Sequence, residues 1–431
     1  MTRSGQDGLI ADLERLSGGA SMESWAFTCG SEAYVLRRAP SAEVMDGRPL
    51  DHASEAALIR AVREGGVIAP EVIAELWPDD GIGSGFVMRR IAGTADPQAA
   101  LGCHQPGRLL AELAATLARI HSVPLASLPI LPRLDPGEGV EGLARQFAEH
   151  GGDRPIIALG LAWLRANLPL PVAAGPVHGD FRLGNLMTHD GALTGVLDWE
   201  LAHLGDFHED LAYGCMAVWR FGSSKPAFGL GDLDALFDAY EANGGQPVDR
   251  ARFRFWLAYR TVWWALGCLG MGQMWRGGAD RSLERVVVAR RAAEQELDLL
   301  LLLEDEAPES ERNRPVPDPR PSVSTESGEP SAAEILSAVG EWLAASKDRF
   351  TGRDRFEHAV ARNALRIVVR ELATTPTARD RDLAGAILDG SASLATPGLL
   401  SHLRRTALDK LAADQPKYPS LAIARESWQA D

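Results

Sequence analysis

The segment at residues 178–185, HGDFRLGN, together with DWE at 198–200, constrains this chain more than any other feature. Asp180 precedes Asn185 by five residues, and Asp198 follows after a further short stretch. An Asn and an Asp that meet on a tight loop can share a metal ion while another Asp faces a different ligand. The chain is therefore expected to fold so that these three side chains lie at one site.

The stretch between Asn185 and Asp198 explains how they can meet. Strands are predicted at 186–188 and 193–197, because both stretches are mostly apolar, and HDG at 189–191 has the residues of a tight turn. Such a hairpin returns Asp198 to the side of Asn185.

This layout suits phosphoryl transfer, which asks the protein mainly for positioning and for neutralisation of phosphate charge. In kinases, an Asp placed like Asp180 takes or orients the proton of the substrate hydroxyl. Residues placed like Asn185 and Asp198 hold the magnesium ions that bridge the nucleotide phosphates. The alternative is a loop in which Asp180 caps a helix and Asp198 ends a strand. Either Asp alone would favour that alternative, but the complete set favours the kinase layout.

With VLDWE at 196–200, GD at 205–206 and DLA at 210–212, these residues resemble the aminoglycoside phosphotransferase (choline kinase-like) family. The resemblance is closest to the branch whose members include kinase-like domains fused to acyl-CoA dehydrogenases. It implies a small-molecule kinase that uses ATP and Mg²⁺ and phosphorylates a hydroxyl group. It also implies that Asp180 is the catalytic base.

The resemblance implies an α+β chain with a protein-kinase-like, two-lobed fold and an additional all-α C-terminal domain. We predict a small β-rich N-lobe at 1–92 and a helical C-lobe, with the catalytic loop, at 93–303. A flexible linker is predicted at 304–330, which is rich in Pro, Ser, Glu and Arg and has almost no large apolar residues. A helical accessory domain is predicted at 331–431.

Gly18 and Gly19, with Ser21 close behind, precede the first predicted strands at 24–29 and 32–37. Because glycine permits close backbone approach, this turn could cover the nucleotide phosphates with its N–H groups. An ordinary turn explains the glycine pair equally well.

The second strand carries Arg37 and Arg38 where a kinase has the lysine that touches the phosphates. Side chains alternate along a strand, so the two arginines face opposite sides, and Arg37 is in register with the lysine. Arginine suits the role because it is always charged and can bind phosphate with two N–H groups. Glu55, on a helix predicted at 52–64, is the expected partner of Arg37. Solvated arginines and a surface carboxylate are the alternatives.

Three further positions bear on the site. The nucleotide base is expected against a hinge that runs from Met88 to Gly93, after a strand predicted at 86–91. Asp206 is expected to cap a helix that begins near Phe207, and the resemblance implies that it holds the catalytic loop and is not a ligand. Arg182, inside the loop, either balances charge near the phosphates or is solvated.

Composition excludes several classes of partner. The net charge of −15 at pH 7 argues against nucleic acid. The apolar run at 299–303 is too short to cross a bilayer, and residues 1–10 contain no apolar signal region. We therefore predict a cytoplasmic protein without membrane partners, in which the four cysteines are reduced thiols.

The acceptor is less constrained than the reaction. The stretch 213–300 mixes arginines with acids and lacks the clustered carboxylates that a polycationic antibiotic would favour. It fits a neutral or anionic acceptor such as a hydroxyacyl-CoA, an idea that also rests on the resemblance. One alternative is an aminoglycoside or other antibiotic kinase. Another is a non-catalytic nucleotide-binding scaffold, which Arg37 in place of lysine would favour.

Residues 331–431 are predicted to form four or five helices and resemble an uncharacterised helical domain of bacterial proteins. No catalytic constellation occurs in this sequence. We predict that it binds a protein partner or mediates self-association.

Overall fold

The computed structural model describes residues 8–16, 22–39, 41, 45, 47–318, 332–372 and 379–428. The chain divides into two compact units, one formed by Met1–Asp135 with Leu170–Leu257 and the other by Pro136–Pro169 with Ala258–Asp431. The glycine turn predicted at Gly18, Gly19 and Ser21 lies outside the described residues.

The first unit begins with antiparallel strands and one helix. These elements are β1 (Ile10–Arg15), β2 (Glu23–Cys29), β3 (Glu32–Ala39), α1 (His52–Glu64), β4 (Val72–Glu75) and β5 (Ser84–Arg89). The strands form one sheet in the order β1-β2-β3-β5-β4. Phe27 and Tyr34 stack across β2 and β3 in its core. Asp51 caps α1 by accepting a hydrogen bond from the backbone N–H of Ser54, which confirms the helix predicted at 52–64.

Helices dominate the next part of the chain. The elements in order are α2 (Pro97–Leu101), α3 (Pro106–His121), α4 (Pro136–Glu149), α5 (Pro155–Ala166), β6 (Gly175–Val177), β7 (Leu186–His189), β8 (Ala192–Val196), β9 (His203–Gly205), α6 (His208–Tyr213) and α7 (Leu233–Ala242). α3 starts with Pro106, whose missing N–H costs nothing at a first helical position. The helix packs against α7 and β8, and its leucines are buried.

The hairpin predicted after the loop at 178–185 is confirmed. β7 pairs with β8, and β6 pairs with β9. The turn residues Asp190 and Gly191 both have positive φ, at 49° and 76°. This is the backbone that a two-residue turn needs if it is to match the twist of the strands, and Asp-Gly is a preferred pair for it.

The remaining elements are helices: α8 (Arg250–Arg276), α9 (Leu283–Ala289), α10 (Ala292–Leu303), α11 (Glu309–Arg312), α12 (Ala332–Ala345), α13 (Gly352–Leu372), α14 (Arg381–Leu388), α15 (Leu399–Asp414) and α16 (Pro419–Trp428). In the second unit α14 packs on α5, while α15 and α16 pack on α10. Gly160 of α5 permits a close approach of α10 and α8, because a Cβ there would lie 2.5 Å from Leu299 and 2.8 Å from Val262.

The start of the predicted linker differs from the expectation of a flexible segment. Residues Glu304–Glu306 form a helical turn, and α11 follows directly. Arg404 of α15 donates to Glu304 at 2.8 Å and to the carbonyl of Arg312 at 2.7 Å. Ion pairs therefore fix a stretch that has too few apolar residues to build a core of its own.

Among the described residues, no helix combines the length and the apolar character that crossing a lipid bilayer requires.

Candidate active site

Asp210, on α6, fixes the start of the loop at 178–185. Its two carboxylate oxygens accept hydrogen bonds from the backbone N–H groups of His178 at 2.7 Å and Gly179 at 2.9 Å. His121, on α3, lies 3.1 Å from the same carboxylate. Burial alone would raise the pKa of Asp210, but hydrogen bonds from His121 and the loop backbone hold the pKa below its usual value. The loop is thus attached to two helices of the first unit.

Asp206 does not hold this loop, although the sequence predicted that it would. It accepts hydrogen bonds from the backbone N–H of His208, at the start of α6, and from Arg252 at 2.8 Å. Asp206 thus contacts the first residue of α6, although Phe207 occupies the N-cap position, and Asp210 supplies the contact with the loop.

Gly179 permits the turn that presents Asp180. Its φ is +80°, and a Cβ there would lie 2.4 Å from the carbonyl oxygen of Leu201. No other residue type fits this position without moving the backbone. The ring of His178 lies 4.4 Å from that of Trp199, centroid to centroid, and one of its nitrogens is 3.1 Å from the Leu197 carbonyl.

Asp180 is buried and accepts hydrogen bonds on both carboxylate oxygens. Oδ1 accepts from Arg182 Nε at 3.0 Å, and Oδ2 accepts from the amide of Asn185. Burial raises the pKa of Asp180, while the positive charge of Arg182 acts in the opposite direction.

Asn185 and Asp198 lie together, as the hairpin requires. The backbone N–H of Leu197 donates to the Asn185 carbonyl at 2.8 Å, which brings the neighbouring Asp198 to the loop. The side-chain nitrogen of Asn185 is used by Asp180, so its Oδ1 is the atom available to a cation. Asp198 has φ of +66°, a left-handed backbone that non-glycine residues adopt rarely and that is concentrated at functional sites.

These two side chains supply oxygen atoms, the ligand class that Mg²⁺ prefers. Within the described residues, no group of three or more His, Cys, Asp or Glu side chains could hold a metal ion by itself. A magnesium ion at Asn185 and Asp198 would therefore need further oxygen ligands, which water and nucleotide phosphates provide in such sites.

Arg37, on β3, connects the sheet to the catalytic segment. Its Nη2 lies 2.8 Å from Asp198 and 2.6 Å from Glu200, and its Nε lies 3.4 Å from Glu55 of α1. Arg48 donates to the same oxygen of Glu200 at 2.7 Å. The two predicted residues, Arg37 and Glu55, are thus brought together at the predicted metal ligand.

Burial dominates the electrostatics of this cluster. It raises the pKa of Glu55 to about 7, against the opposing charge of Arg37. Burial also raises the pKa of Glu200, and the neighbouring Asp198 adds to the shift. Burial would lower the pKa of Arg37, but the three carboxylates outweigh it, so Arg37 stays charged.

Arg38 faces away from this cluster, as strand alternation predicts. It forms an ion pair with Glu23 at 2.7 Å and donates to the carbonyl of Ile82 at 2.7 Å.

Met88 lies within β5, half-buried and paired with Val35 and Val72 of the adjacent strands. The hinge follows the strand. Gly93 has φ of +114°, and its neighbour Thr94 exchanges two backbone hydrogen bonds with Thr188 of β7. The hinge is therefore tied to the hairpin that follows Asn185.

Two charged residues of the cluster were not predicted. Glu200 follows Asp198 by two residues in the DWE motif, but both lie beyond the end of β8, so no strand pattern indicated that they would share Arg37. Arg48 lies in a stretch without any pattern that singles it out.

The arginines between 213 and 300 are largely engaged in local contacts. Arg250 pairs with Asp234 and Arg285 with Asp280, while Arg220 donates to the carbonyl of Cys215. They therefore give little support to the idea that this stretch selects an anionic acceptor.

Comparison with known proteins agrees with this geometry. Residues 12–256 match the model of the phosphotransferase enzyme family (APH), and residues 348–418 match a domain of unknown function (DUF6285). The crystal structure of an aminoglycoside phosphotransferase candidate from Ralstonia eutropha JMP134 is similar, with a TM-score of 0.57 and 23% identity. The match covers 70% of this chain and 94% of that one. The predicted α+β, protein-kinase-like fold with a helical C-terminal extension is confirmed.

Curated relatives agree with the predicted branch of the family. Acyl-CoA dehydrogenase family member 10 of Mus musculus is 29% identical over 58% of this chain and 25% of its own length. Acyl-CoA dehydrogenase family member 11 of Gallus gallus is 31% identical over 47% of this chain and 27% of its own length. The chain thus spans about a quarter of the length of these relatives.

Proposed function

Because the chain belongs to the phosphotransferase enzyme family, we propose that it transfers a phosphoryl group from ATP, with Mg²⁺, to a hydroxyl group of a small molecule. One observation carries the proposal. Arg37 bridges Glu55 and Asp198 directly beside the loop that holds Asp180 and Asn185. A cation for phosphates, oxygen ligands for a metal and a carboxylate for the acceptor are the parts that this reaction needs.

Asp180 is proposed as the catalytic base. Its raised pKa favours uptake of the proton that the acceptor hydroxyl releases during attack. The hydrogen bonds from Arg182 and Asn185 fix the carboxylate of Asp180. The substrate hydroxyl would therefore meet a carboxylate oxygen whose orientation is already set.

Asn185 and Asp198 are proposed to hold magnesium. When bound, the ion would neutralise charge on the nucleotide phosphates. Arg37, held by Glu55, would contact the same phosphates from the side of the sheet. The ion pair between Arg37 and Asp198 partly neutralises the charge of both side chains.

The nucleotide base is proposed to lie near Met88 and the hinge that follows β5. The turn with Gly18, Gly19 and Ser21 keeps its predicted role in covering the phosphates.

For the acceptor, hydroxyacyl-CoA compounds are the first choice, because the matched relatives are named as acyl-CoA dehydrogenase family members. The region 331–431 is proposed to bind a protein partner or a second copy of the chain. The division into an N-lobe at 1–92, a C-lobe at 93–303, a linker at 304–330 and this accessory region remains a proposal. A cytoplasmic location is proposed with it.

The test is magnesium-dependent phosphate transfer from ATP to a panel of hydroxyacyl-CoAs, free hydroxy acids, amino alcohols, sugars and aminoglycosides. Wild type is compared with Asp180→Asn and with Asp190→Asn, a control in the exposed hairpin turn whose side chain is 92% exposed. We expect Asp180→Asn to lower kcat by about 10²–10⁴-fold. Its nucleotide affinity and the activity of Asp190→Asn should stay unchanged.

Normal turnover by Asp180→Asn would refute its assignment as the base. Transfer to aminoglycosides alone would support an antibiotic kinase instead. Nucleotide binding without transfer to any acceptor would support the scaffold alternative.

A further inference from the structure

Arg182 lies two residues after Asp180 and is fixed on three sides. Its Nε donates to Asp180 at 3.0 Å, and its Nη1 donates to the carbonyl of Leu183 at 3.2 Å. The central guanidinium carbon lies 4.2 Å from the ring centroid of Trp219. The stacked ring and the two hydrogen bonds hold the guanidinium in one orientation.

Gly184 provides the space for this arginine. It has φ of +103°, and a Cβ at this position would lie 2.7 Å from Nη1 of Arg182. The turn before Asn185 is therefore shaped around the guanidinium. A solvated surface arginine, the alternative that the sequence left open, would need no such space.

One nitrogen of Arg182 remains available. Within the part of the chain that the structure describes, Nε and Nη1 have acceptors, whereas Nη2 has none. In a planar guanidinium, Nη2 and Nε donate from the same edge. An oxygen bound to Nη2 on that edge would therefore lie beside the Asp180 oxygen that Nε binds, where the acceptor hydroxyl is proposed to be.

We infer that Nη2 of Arg182 binds an anionic oxygen beside the acceptor hydroxyl, and that this oxygen belongs to the phosphoryl group in transfer. The inference rests on the proposed function, because Asp180 marks the place of the hydroxyl. Arg182 interacts electrostatically with both Asp180 and Asp198, the residues on either side of the reaction. A phosphoryl group that moves from the nucleotide to the acceptor hydroxyl would pass within reach of the charge of Arg182.

A contact between Arg182 and the phosphoryl group would stabilise that group during transfer. Negative charge spreads over the oxygens of the phosphoryl group during transfer, and a fixed donor stabilises that charge without reorganising. Arg182 already has its orientation before any ligand binds. Arg37 and Arg182 would then act on different phosphates, Arg37 from the sheet and Arg182 from the catalytic loop.

The experiment compares Arg182→Gln and Arg182→Lys with Arg38→Gln as a matched control. Arg38 also forms an ion pair, with Glu23, and its side chain has the same 21% exposure as that of Arg182. Binding of inorganic phosphate to the protein loaded with MgADP is measured by calorimetry. The kcat and KM for the best acceptor, the rate of ATP hydrolysis without acceptor and the unfolding temperature are measured in parallel.

We expect Arg182→Gln to lower kcat and the hydrolysis rate by about 10²–10³-fold, to weaken phosphate binding and to leave ATP affinity unchanged. Arg182→Lys should recover only part of the loss, because an ammonium cannot donate from the same edge to two acceptors. Arg38→Gln should match the wild type. If Arg182→Gln unfolds, the lysine variant and Trp219→Phe, which weakens the stack, provide the comparison.

Three results are decisive. Wild-type kcat and phosphate binding in folded Arg182 variants would overturn the inference. A rise in acceptor KM alone, with phosphate binding and ATP hydrolysis intact, would assign the oxygen to an anionic acceptor and overturn the phosphoryl assignment. Loss of phosphate binding in Arg182→Gln, with no transfer by the wild type to any acceptor, would sustain the anion site and refute the proposed function.

Discussion

At the scale of single residues, one arginine of the candidate site faces three carboxylates. Arg37 contacts Glu55, Asp198 and Glu200 through two of its nitrogens. A planar guanidinium can serve several carboxylates at fixed angles, whereas a lysine ammonium is a single point charge. Arginine in the usual lysine position is therefore compatible with phosphate binding. It also links the sheet to both carboxylates of the DWE motif.

Glu55 gives this cluster a dependence on pH. Burial raises the pKa of Glu55 from 4.5 to about 7. The folded chain therefore keeps a proton that the unfolded chain has lost, so the stability contribution is complete below about pH 4.5 and disappears as pH rises through about 7. Relative to Glu55→Gln, the wild type should lose up to about 3 kcal/mol of unfolding free energy between about pH 5 and about pH 8.

Urea unfolding at both pH values checks this prediction. Glu75→Gln serves as the control, because Glu75 is a partly exposed carboxylate of β4 that pairs with Arg60. Equal pH dependence in the wild type and in Glu55→Gln would show that Glu55 does not titrate in this range.

At the scale of elements, the catalytic loop owes its position to helices that are distant in sequence. Asp210 of α6 binds two loop amides and His121 of α3. His121 in turn lies 2.8 Å from the hydroxyl of Tyr240 in α7. Because this network is buried, the loss of any one hydrogen-bond partner lowers the stability, since water cannot replace it. Three helices thus fix the backbone that presents Asp180.

Asp210→Ala should destabilise the protein by about 3–5 kcal/mol, because it leaves two buried amides and His121 without their acceptor. Asp234→Ala is the control. Its carboxylate pairs with Arg250 on the surface and is 73% exposed, so a change below about 1 kcal/mol is expected. Chemical denaturation measures both values. Equal stability of the two variants would mean that the loop does not depend on Asp210.

At the scale of the whole molecule, the C-terminal helices share a compact unit with helices from the middle of the chain. α14 packs on α5, and α15 and α16 pack on α10. A buried ion pair crosses this interface, because Lys410 Nζ lies 2.8 Å from both carboxylate oxygens of Glu296. Burial lowers the pKa of Lys410, and the charge of Glu296 opposes the shift. These C-terminal helices therefore belong to the folded body of the second unit.

Lys410→Met should lower the unfolding free energy by about 3–5 kcal/mol, since Glu296 would keep a buried charge without its main partner. Replacing both residues, Lys410→Met with Glu296→Leu, should recover most of the loss. The exposed Lys417→Met is the control and should stay close to the wild type. Unfolding curves of the four proteins test this. A double variant as unstable as the single one would argue against the ion pair as the cause.

Much of the fold and part of the site could be predicted from the sequence, because they depend on local patterns. The hairpin at 186–196 follows from two apolar stretches and an Asp-Gly turn. The helix with Glu55 lies where it was predicted, and strand alternation separates Arg37 from Arg38. The prediction of a flexible linker was wrong for its first residues, which are helical. It was based on the lack of apolar residues, and such a composition does not show ion pairs such as that of Arg404 with Glu304.

The sequence by itself determined the loop motif, the order of strands and helices around it and the residue types available for chemistry. The hairpin pattern also indicated that Asn185 meets Asp198, and the kinase pattern that Glu55 meets Arg37, whereas the tertiary structure decided the other contacts between distant elements. Arg37 and Asp198 are 161 residues apart, and His121 and Asp210 are 89 residues apart. No periodic pattern encodes such contacts, because they depend on the packing of whole elements. That packing produces three contacts of the site: Asp210 with the loop backbone, Arg48 with Glu200, and Arg182 with the ring of Trp219.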